Sequence, residues 1–419
     1  MFKKIAISLL LVLAAIIAAL QIDDDLHPEA AIWIKQVNAN ADSQAYYYLM
    51  GIFASSDEDP LDIGLQRYQT IQAHQEKLNT NNNAASFEDY PDEKKIQLPT
   101  GELFCKYWEE GCLQSLLKSD VDRQALLPKH SVLLQRYQKF MEFEEFHTMT
   151  KPELTEPLSP FQYLSAGHRL ESLMLLDNAS EGKQKETIAD LSSKITKLKD
   201  KIKLQDTIVG KTVFLHMLSE SIDLFSIITN IYKMPIAKSL TLISVAERDF
   251  YMPIQREFYM GYDMYQNLDR NPEFFHLSGN MPGWIVRGIF KPNMTSNSSF
   301  LMMADVVNKS RLDQKEFAQF IASPPVEVEP KYSLRNYAGD VLNQVAKPNF
   351  MEYIARFHDL NCKIVLFNNM SKIKEKKFDI IKNPYGLNDR PKISTDGSKI
   401  CFDGPFEDGR NFRCLMVEI

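Results

Sequence analysis

The spacing of apolar side chains changes in kind along this chain, and each kind predicts a different element. The chain opens with an unbroken run: Met1-Phe2-Lys3-Lys4 precede apolar residues from Ile5 to Leu20, then come Gln21-Ile22 and the acids Asp23, Asp24 and Asp25. Counted through Ile22 the stretch is about 18 residues, the lower limit for spanning a hydrocarbon core. Beyond it, apolar positions three and four apart predict a succession of amphipathic helices. Asp57-Glu58-Asp59-Pro60 opens one, because acids favour the positive end of a helix and proline suits its first turn; Leu61, Leu65, Tyr68 and Ile71 share its face. Others are predicted from Pro128 to Phe146, from Ser159-Pro160 to Leu176, and from Glu186 to Leu204. In the last, Ile188, Leu191, Ile195, Leu198 and Ile202 alternate three and four apart. Two heptads are too few for an independent coiled coil, so this helix should pack within the domain.

Ile208 to Ile231 is dense in large apolar residues but carries Lys211, His216, Glu220 and Asp223. It reads as a central core helix and a poor membrane span. Leu240 to Leu268 reads as a helical region that Pro253 kinks or breaks, with Phe250, Tyr251, Phe258, Tyr259, Tyr262 and Tyr265 as a core face. A helix capped by Thr295 or Ser296 is expected through Val307, and short helices at Tyr337 to Val345 and Phe350 to Leu360, separated by Pro348. Residues 79–93, 271–272, 281–283 and 291–293 read as loops, and 323–330 as an extended connector. Near the end the period shortens: Ser398 to Asp403 and Phe412 to Ile419 alternate as strands do, while Lys363 to Asn368 fits either a strand or a helix continuation. The expected fold is mainly α: a leader at 1–22, a multi-helix body at 23–375 that could hold two subdomains, and a small β-rich appendix at 376–419.

The leader is an address. Lys3 and Lys4 should stay in the cytoplasm, so everything from Asp23 onward is expected outside it. Two fates remain open, an uncleaved signal anchor in the inner membrane with the bulk of the chain in the periplasm, or cleavage after Ala19 to a soluble periplasmic protein. No cysteine follows the run, which excludes lipoprotein anchoring.

A chain of 419 residues, 44% hydrophobic and 25% charged, can fill one large core or two ordinary ones, and 16 glycines with 20 prolines favour helices over a many-turned β architecture. A net charge of −7 offers no electrostatic reason to expect nucleic acid. Five cysteines fit an oxidising compartment. On a regular helix Cys105 and Cys112 would stand about 10.5 Å apart, so a bridge needs a loop, and Pro99-Thr100-Gly101 with Gly111 supplies one. Cys401 and Cys414 flank the turn signals Asp403-Gly404-Pro405 and Asp408-Gly409 and could staple a hairpin. The expected disulfides are Cys105 to Cys112 and Cys401 to Cys414, with Cys362 free; reduced buried cysteines are the alternative.

Three segments carry a resemblance. NADSQAYYYLMGIFASSDEDPLDIG, FKPNMTSNSSF, and LRNYAGDVLNQVAKPNFMEYIARFHDLN followed by NPYG resemble landmarks of an uncharacterised family of Gram-negative envelope proteins with an N-terminal anchor. The likeness touches both ends and the middle of the chain. It implies an extracytoplasmic helical protein, and no activity, cofactor or catalytic residue comes with it. After Asn336 this chain has Tyr337-Ala338-Gly339 where the family pattern has proline, valine and glycine.

Catalytic patterns are sparse. There is no GxSxG, P-loop, HExxH or dinucleotide fingerprint. Ser115-Leu116-Leu117-Lys118 satisfies SxxK without SDN or KTG. Glu109 and Glu110 beside Trp108 could be glycosidase acids, since an aromatic wall raises a carboxyl pKa, but solvated loop acids are the simpler expectation. His168 and Glu171 share a helix face and could start a metal site; His358 and Asp359 are adjacent and diverge; surface or capped histidines are expected instead. Lys194, Lys197, Lys199, Lys201 and Lys203, interspersed with Asp190 and Asp200, predict a solvated helix face. Asn178-Ala179-Ser180 and Asn293-Met294-Thr295 match the glycosylation sequon, a match expected by chance in an asparagine-rich chain. No metal or cofactor is expected. The function expected is non-enzymatic binding of an envelope protein partner or exported client, and the alternative is a hydrolase acting on cell wall or lipid.

Overall fold

The computed structural model describes residues 2–39, 42–80, 87–109, 111–118, 120–235, 239–268, 283–324, 332–345, 349–387 and 389–417. Residues 81–86 of the loop expected at 79–93, the expected loops at 271–272 and 281–282, most of the connector at 323–330, and Pro348 lie outside the described residues, while residues 79 and 80 end a helix. Within them the chain is mainly helical, with a three-stranded antiparallel sheet at its C-terminus, the fold class its periodicities predict.

The centre is α10 (Ile208–Ile231), apolar on nearly every side and mostly buried. It packs against α8 (Phe161–Ser180), α9 (Gln184–Leu204) and α17 (Phe350–Asn368), while α7 (Ser131–Glu142) packs on α8 and stacks Phe140 on Phe214 of α10. Its length and hydropathy would allow a membrane crossing, but its surface is already used by these neighbours. Lys363 to Asn368 continue α17 as helix. The strands β1 (Lys392–Ile393), β2 (Lys399–Cys401) and β3 (Cys414–Met416) lie in that order, and Ile400 and Leu415 join the core cluster of the helices. β3 is tied to α10: the Met416 amide donates to Asp223 Oδ1 at 3.0 Å, and Ser226 Oγ donates to the Met416 carbonyl at 2.7 Å.

Several helix boundaries differ from expectation, each for a local reason. Pro128 ends a separate helix, α6 (Asp120–Lys129), so α7 starts only at Ser131. Pro253 does not kink a long helix; it sits in the first turn of α12 (Tyr251–Leu268), where its missing N–H has no partner to lose. Residues 240–243 are extended because α17 satisfies their backbone: Asn368 exchanges two 2.8 Å hydrogen bonds with Leu240, and Asn361 accepts from the Ile243 amide at 2.7 Å. The expected loop at 291–293 is instead the start of α14 (Pro292–Arg311), with Pro292 in its first turn; Thr295 and Ser296 bond back to the Lys291 and Pro292 carbonyls at 2.8 and 2.7 Å instead of capping.

Near the front, α3 (Gln44–Met50) and α4 (Pro60–Thr80) meet backbone to backbone. A Cβ on Gly64 would fall 1.7 Å from the Tyr47 carbonyl oxygen, and one on Gly51 would fall 2.0 Å from that of Pro60. Gly64 therefore takes the inner position expected of Leu65, which stays on the outside.

The lysines of α9 depart furthest from expectation. Of the five expected to share a solvated face, Lys194, Lys199 and Lys201 are buried, while Lys197 and Lys203 face solvent. Lys194 pairs with Glu171 at 2.9 Å; Lys199 donates to the Thr241 and Leu242 carbonyls at 3.0 and 2.9 Å; Lys201 donates to the Phe143 carbonyl. Burial pulls the Lys201 ammonium down to about 8. The Lys194 ammonium ties α9 to α8, and those of Lys199 and Lys201 fasten the segments at 241–242 and 143 to it, roles that a solvated face could not provide.

Candidate ligand-binding groove

Cys105 and Cys112 are at disulfide distance, with Cα atoms 5.6 Å apart in a loop entering α5 (Cys112–Lys118). Cys401 and Cys414 stand directly opposite each other in the β2–β3 register, Cα atoms 4.0 Å apart. Cys362 is unpaired and buried, and burial holds its thiol well above the usual range, so it is a poor nucleophile.

Ser115 lies on α5, while Glu110 and the Lys118 side chain are outside the described residues. The Lys106 amide and ammonium hold the Glu109 carboxyl below its usual range, opposite to a general acid. Glu171 is committed to Lys194, and among the described residues no three potential ligands converge on a metal position. Asn293 of one sequon is used internally, its Nδ2 donating to the Asp24 carbonyl at 2.9 Å.

The expectation of surface histidines fails for His168 and His358, both fully buried. His358 stacks on Phe317 at 4.7 Å and walls a cavity of about 910 Å³. His168 accompanies Arg169, His216, Trp108 and Glu220 around a cavity of about 340 Å³ beneath the Cys105–Cys112 loop. Glu220 lies 3.6 Å from His168 Nε2 and 3.7 Å from Arg169, and burial raises its carboxyl. It is the one carboxylate lining that cavity among the described residues, whereas glycoside hydrolysis requires two. The hydroxyl on His168 Nδ1 is Tyr137 at 3.2 Å, which burial raises well above its ordinary value, so no activated nucleophile results.

Burial also keeps these imidazoles neutral, His216 and His358 at about 3 and His168 well below its ordinary value. The unfolded chain binds those protons near pH 6.5 and the folded chain does not, so their contribution to stability is lost as pH falls from about 6.5 toward 3. His358→Gln is expected to lose less stability than the native chain between pH 7 and pH 4. Urea midpoints at both pH values check this, and equal losses in the two proteins would refute it.

The cavity with the clearest binding character lies elsewhere, between α12 and α14. Glu257, Met260, Gly261, Met264 and Tyr265 recur at helical spacing on α12; Ser299, Met302, Met303 and Val306 do so on α14. Phe320 of α15 (Gln314–Ala322), with Phe350 and Met351 at the start of α17, also lines this groove of about 720 Å³. Methionine supplies five of its sixteen lining residues against 17 of 419 in the chain, an enrichment that makes the walls plastic, because unbranched thioethers repack around different apolar shapes. One part is rigid: Tyr265 donates to Asn343 Oδ1 at 3.1 Å, and Asn343 donates to the Thr295 carbonyl at 2.9 Å. Gly261 leaves open space, since a Cβ there would meet only Tyr265 Cε2 at 3.9 Å. A smaller cavity of about 240 Å³ shares Leu154, Glu257 and Met260 and extends the groove toward the exposed Leu158 and Val209. Burial raises the Glu257 carboxyl.

The chain matches no family model, no curated protein and no solved structure. The sequence reading did not single out the groove, although Met260 and Met264, with Met302 and Met303, already stood at helical spacing. Of the aromatic stripe expected as a core face, Phe250, Phe258, Tyr259 and Tyr265 are buried, and Tyr251 and Tyr262 are half-buried.

Proposed function

We propose that this protein is a membrane-anchored envelope factor of the inner membrane, its body in the periplasm, that holds an apolar helical segment of a client protein in the groove between α12 and α14. The methionine-lined groove carries this reading. An amphipathic helix presents an apolar stripe with polar flanks, and the groove offers apolar walls bordered by Glu257, Asp305, Asn343 and Asn349. The apolar N-terminal helix and the two disulfide-distance cysteine pairs support the envelope setting, as does the resemblance to anchored Gram-negative proteins.

Titration of the full chain with a fluorescent amphipathic peptide carrying leucines at i, i+3, i+4 and i+7 tests it. Gly261→Phe fills open space on a helix and Met303→Glu places a charge on the wall; each should weaken binding about tenfold or more. Their melting temperatures should stay near that of the native chain. Peptide affinity unchanged in both variants would overturn the proposal, as would binding of a fatty-acid probe but not of the peptide.

A further inference from the structure

The N-terminal apolar helix is not joined to the body by a loose tether. α1 (Phe2–Ala19) carries Leu9, Leu10 and Leu11 at 65%, 65% and 66% exposure, and the residues that follow it are latched to the fold. Asp23 accepts from the Asn293 and Met294 amides at 2.8 and 3.2 Å. Asn297 donates to the Asp25 carbonyl at 2.9 Å and accepts from the His27 amide at 2.7 Å. Arg335 donates to the Ile22 carbonyl at 2.7 Å and pairs with Asp24 at 3.2 Å, while Gln21 donates to the Trp284 carbonyl at 3.0 Å. Residues 21 and 22, at the end of the apolar run, are thus held from two sides by the segments containing Trp284 and Arg335.

Those two segments turn apolar side chains outward. Trp284 is 55% exposed and Leu334 89%, and Ile285, Ile289 and Tyr337 are also exposed. The segments are joined to each other, the Ala338 amide donating to the Ile289 carbonyl at 3.0 Å, and their undersides pack a separate small core of Val286, Phe290, Tyr265 and Leu268. Arginine supplies the only charged side chains in both, Arg287 within 283–290 and Arg335 within 332–338. Tryptophan, tyrosine and aliphatic residues with arginine, placed where an apolar helix leaves the fold, form the composition that settles at the headgroup level of a bilayer.

We propose that this collar docks the body onto the lipid surface around the anchor, so that one fixed face of the protein rests on the membrane. The inference depends on α1 being the membrane anchor. The occupant is the bilayer interface itself, because the collar is continuous with the point at which the apolar helix leaves the body. Docking of this kind would fix the body's height and orientation above the bilayer.

The full chain carrying Trp108→Phe, which leaves the buried Trp33 and the collar's Trp284, is reconstituted in nanodiscs of phosphatidylethanolamine and phosphatidylglycerol. Bromine is placed at shallow acyl positions, the depth an interfacial side chain reaches. Trp284 should lose most of its emission relative to unbrominated lipid, and adding Trp284→Phe should remove the quenching. Leu334→Asp with Ile289→Asp should restore the emission while the chain stays in the disc. A retained chain whose Trp284 emits equally over both lipids overturns the collar alone. A chain that does not remain with the discs overturns the anchor reading and the collar with it.

Discussion

Arg136→Met is expected to cost about 4 kcal/mol, a large share of the stability of an ordinary domain. The guanidinium is buried on α7 and donates to four carbonyls of one turn, those of Ile52, Ala54, Ser55 and Glu58, at 3.0, 2.6, 2.8 and 3.0 Å. Methionine fills similar space but offers no donor, and each carbonyl left buried without one costs about 1–3 kcal/mol, less where water reaches the turn's edge. Arg136→Lys should recover only part of the loss, because an ammonium cannot reproduce the planar fork. Urea unfolding checks both variants. A midpoint shift equivalent to less than about 0.5 kcal/mol for Arg136→Met would show that the turn does not depend on this side chain.

A loss of about 3–5 kcal/mol is expected for Asp223→Ala, which strands Lys363 without its counter-charge. The Lys363 ammonium and the Asp223 carboxylate lie 2.5 Å apart with 1% and 6% of their side chains exposed, and Ser219 accepts a further bond from Lys363 at 2.7 Å. Burial raises the Asp223 carboxyl, and the attraction of Lys363 lowers it. The same carboxylate receives the Met416 amide, so the mutation should also release the Met416 amide to fast hydrogen exchange. The double variant Asp223→Leu with Lys363→Met removes both charges and should restore most of the stability, because an apolar pair carries no desolvation cost. If the double variant is no more stable than Asp223→Ala, the loss does not come from a stranded Lys363 charge.

Helices and their order were legible because periodicity, proline position and acidic first turns act within a turn or two of the chain. That local reach explains why α4, α9 and α10 lie close to where their patterns place them. It also explains the errors at Pro253 and Thr295, where a proline or hydroxyl can start, cap or sit within a helix and the neighbouring element decides which. The candidate groove was half legible. Met260, Met264, Met302 and Met303 announced apolar helix faces, but an apolar face reads the same whether another element covers it or not.

The sequence alone thus determined the mainly helical class, the apolar N-terminal helix, the short strands at the C-terminus and the proximity of Cys105 to Cys112 and of Cys401 to Cys414. Each of these depends on residues within a few turns of one another. Tertiary structure decided what lies against what. Lys199 meets the carbonyls of residues 241 and 242, Lys363 meets Asp223, and Arg136 meets the turn at 52–58. Charged side chains that look solvated in sequence are buried because distant backbone and carboxylates complete their hydrogen bonds. The faces of α12 and α14 stay open among the described residues because helix packing there leaves space that a glycine and flexible methionines do not fill.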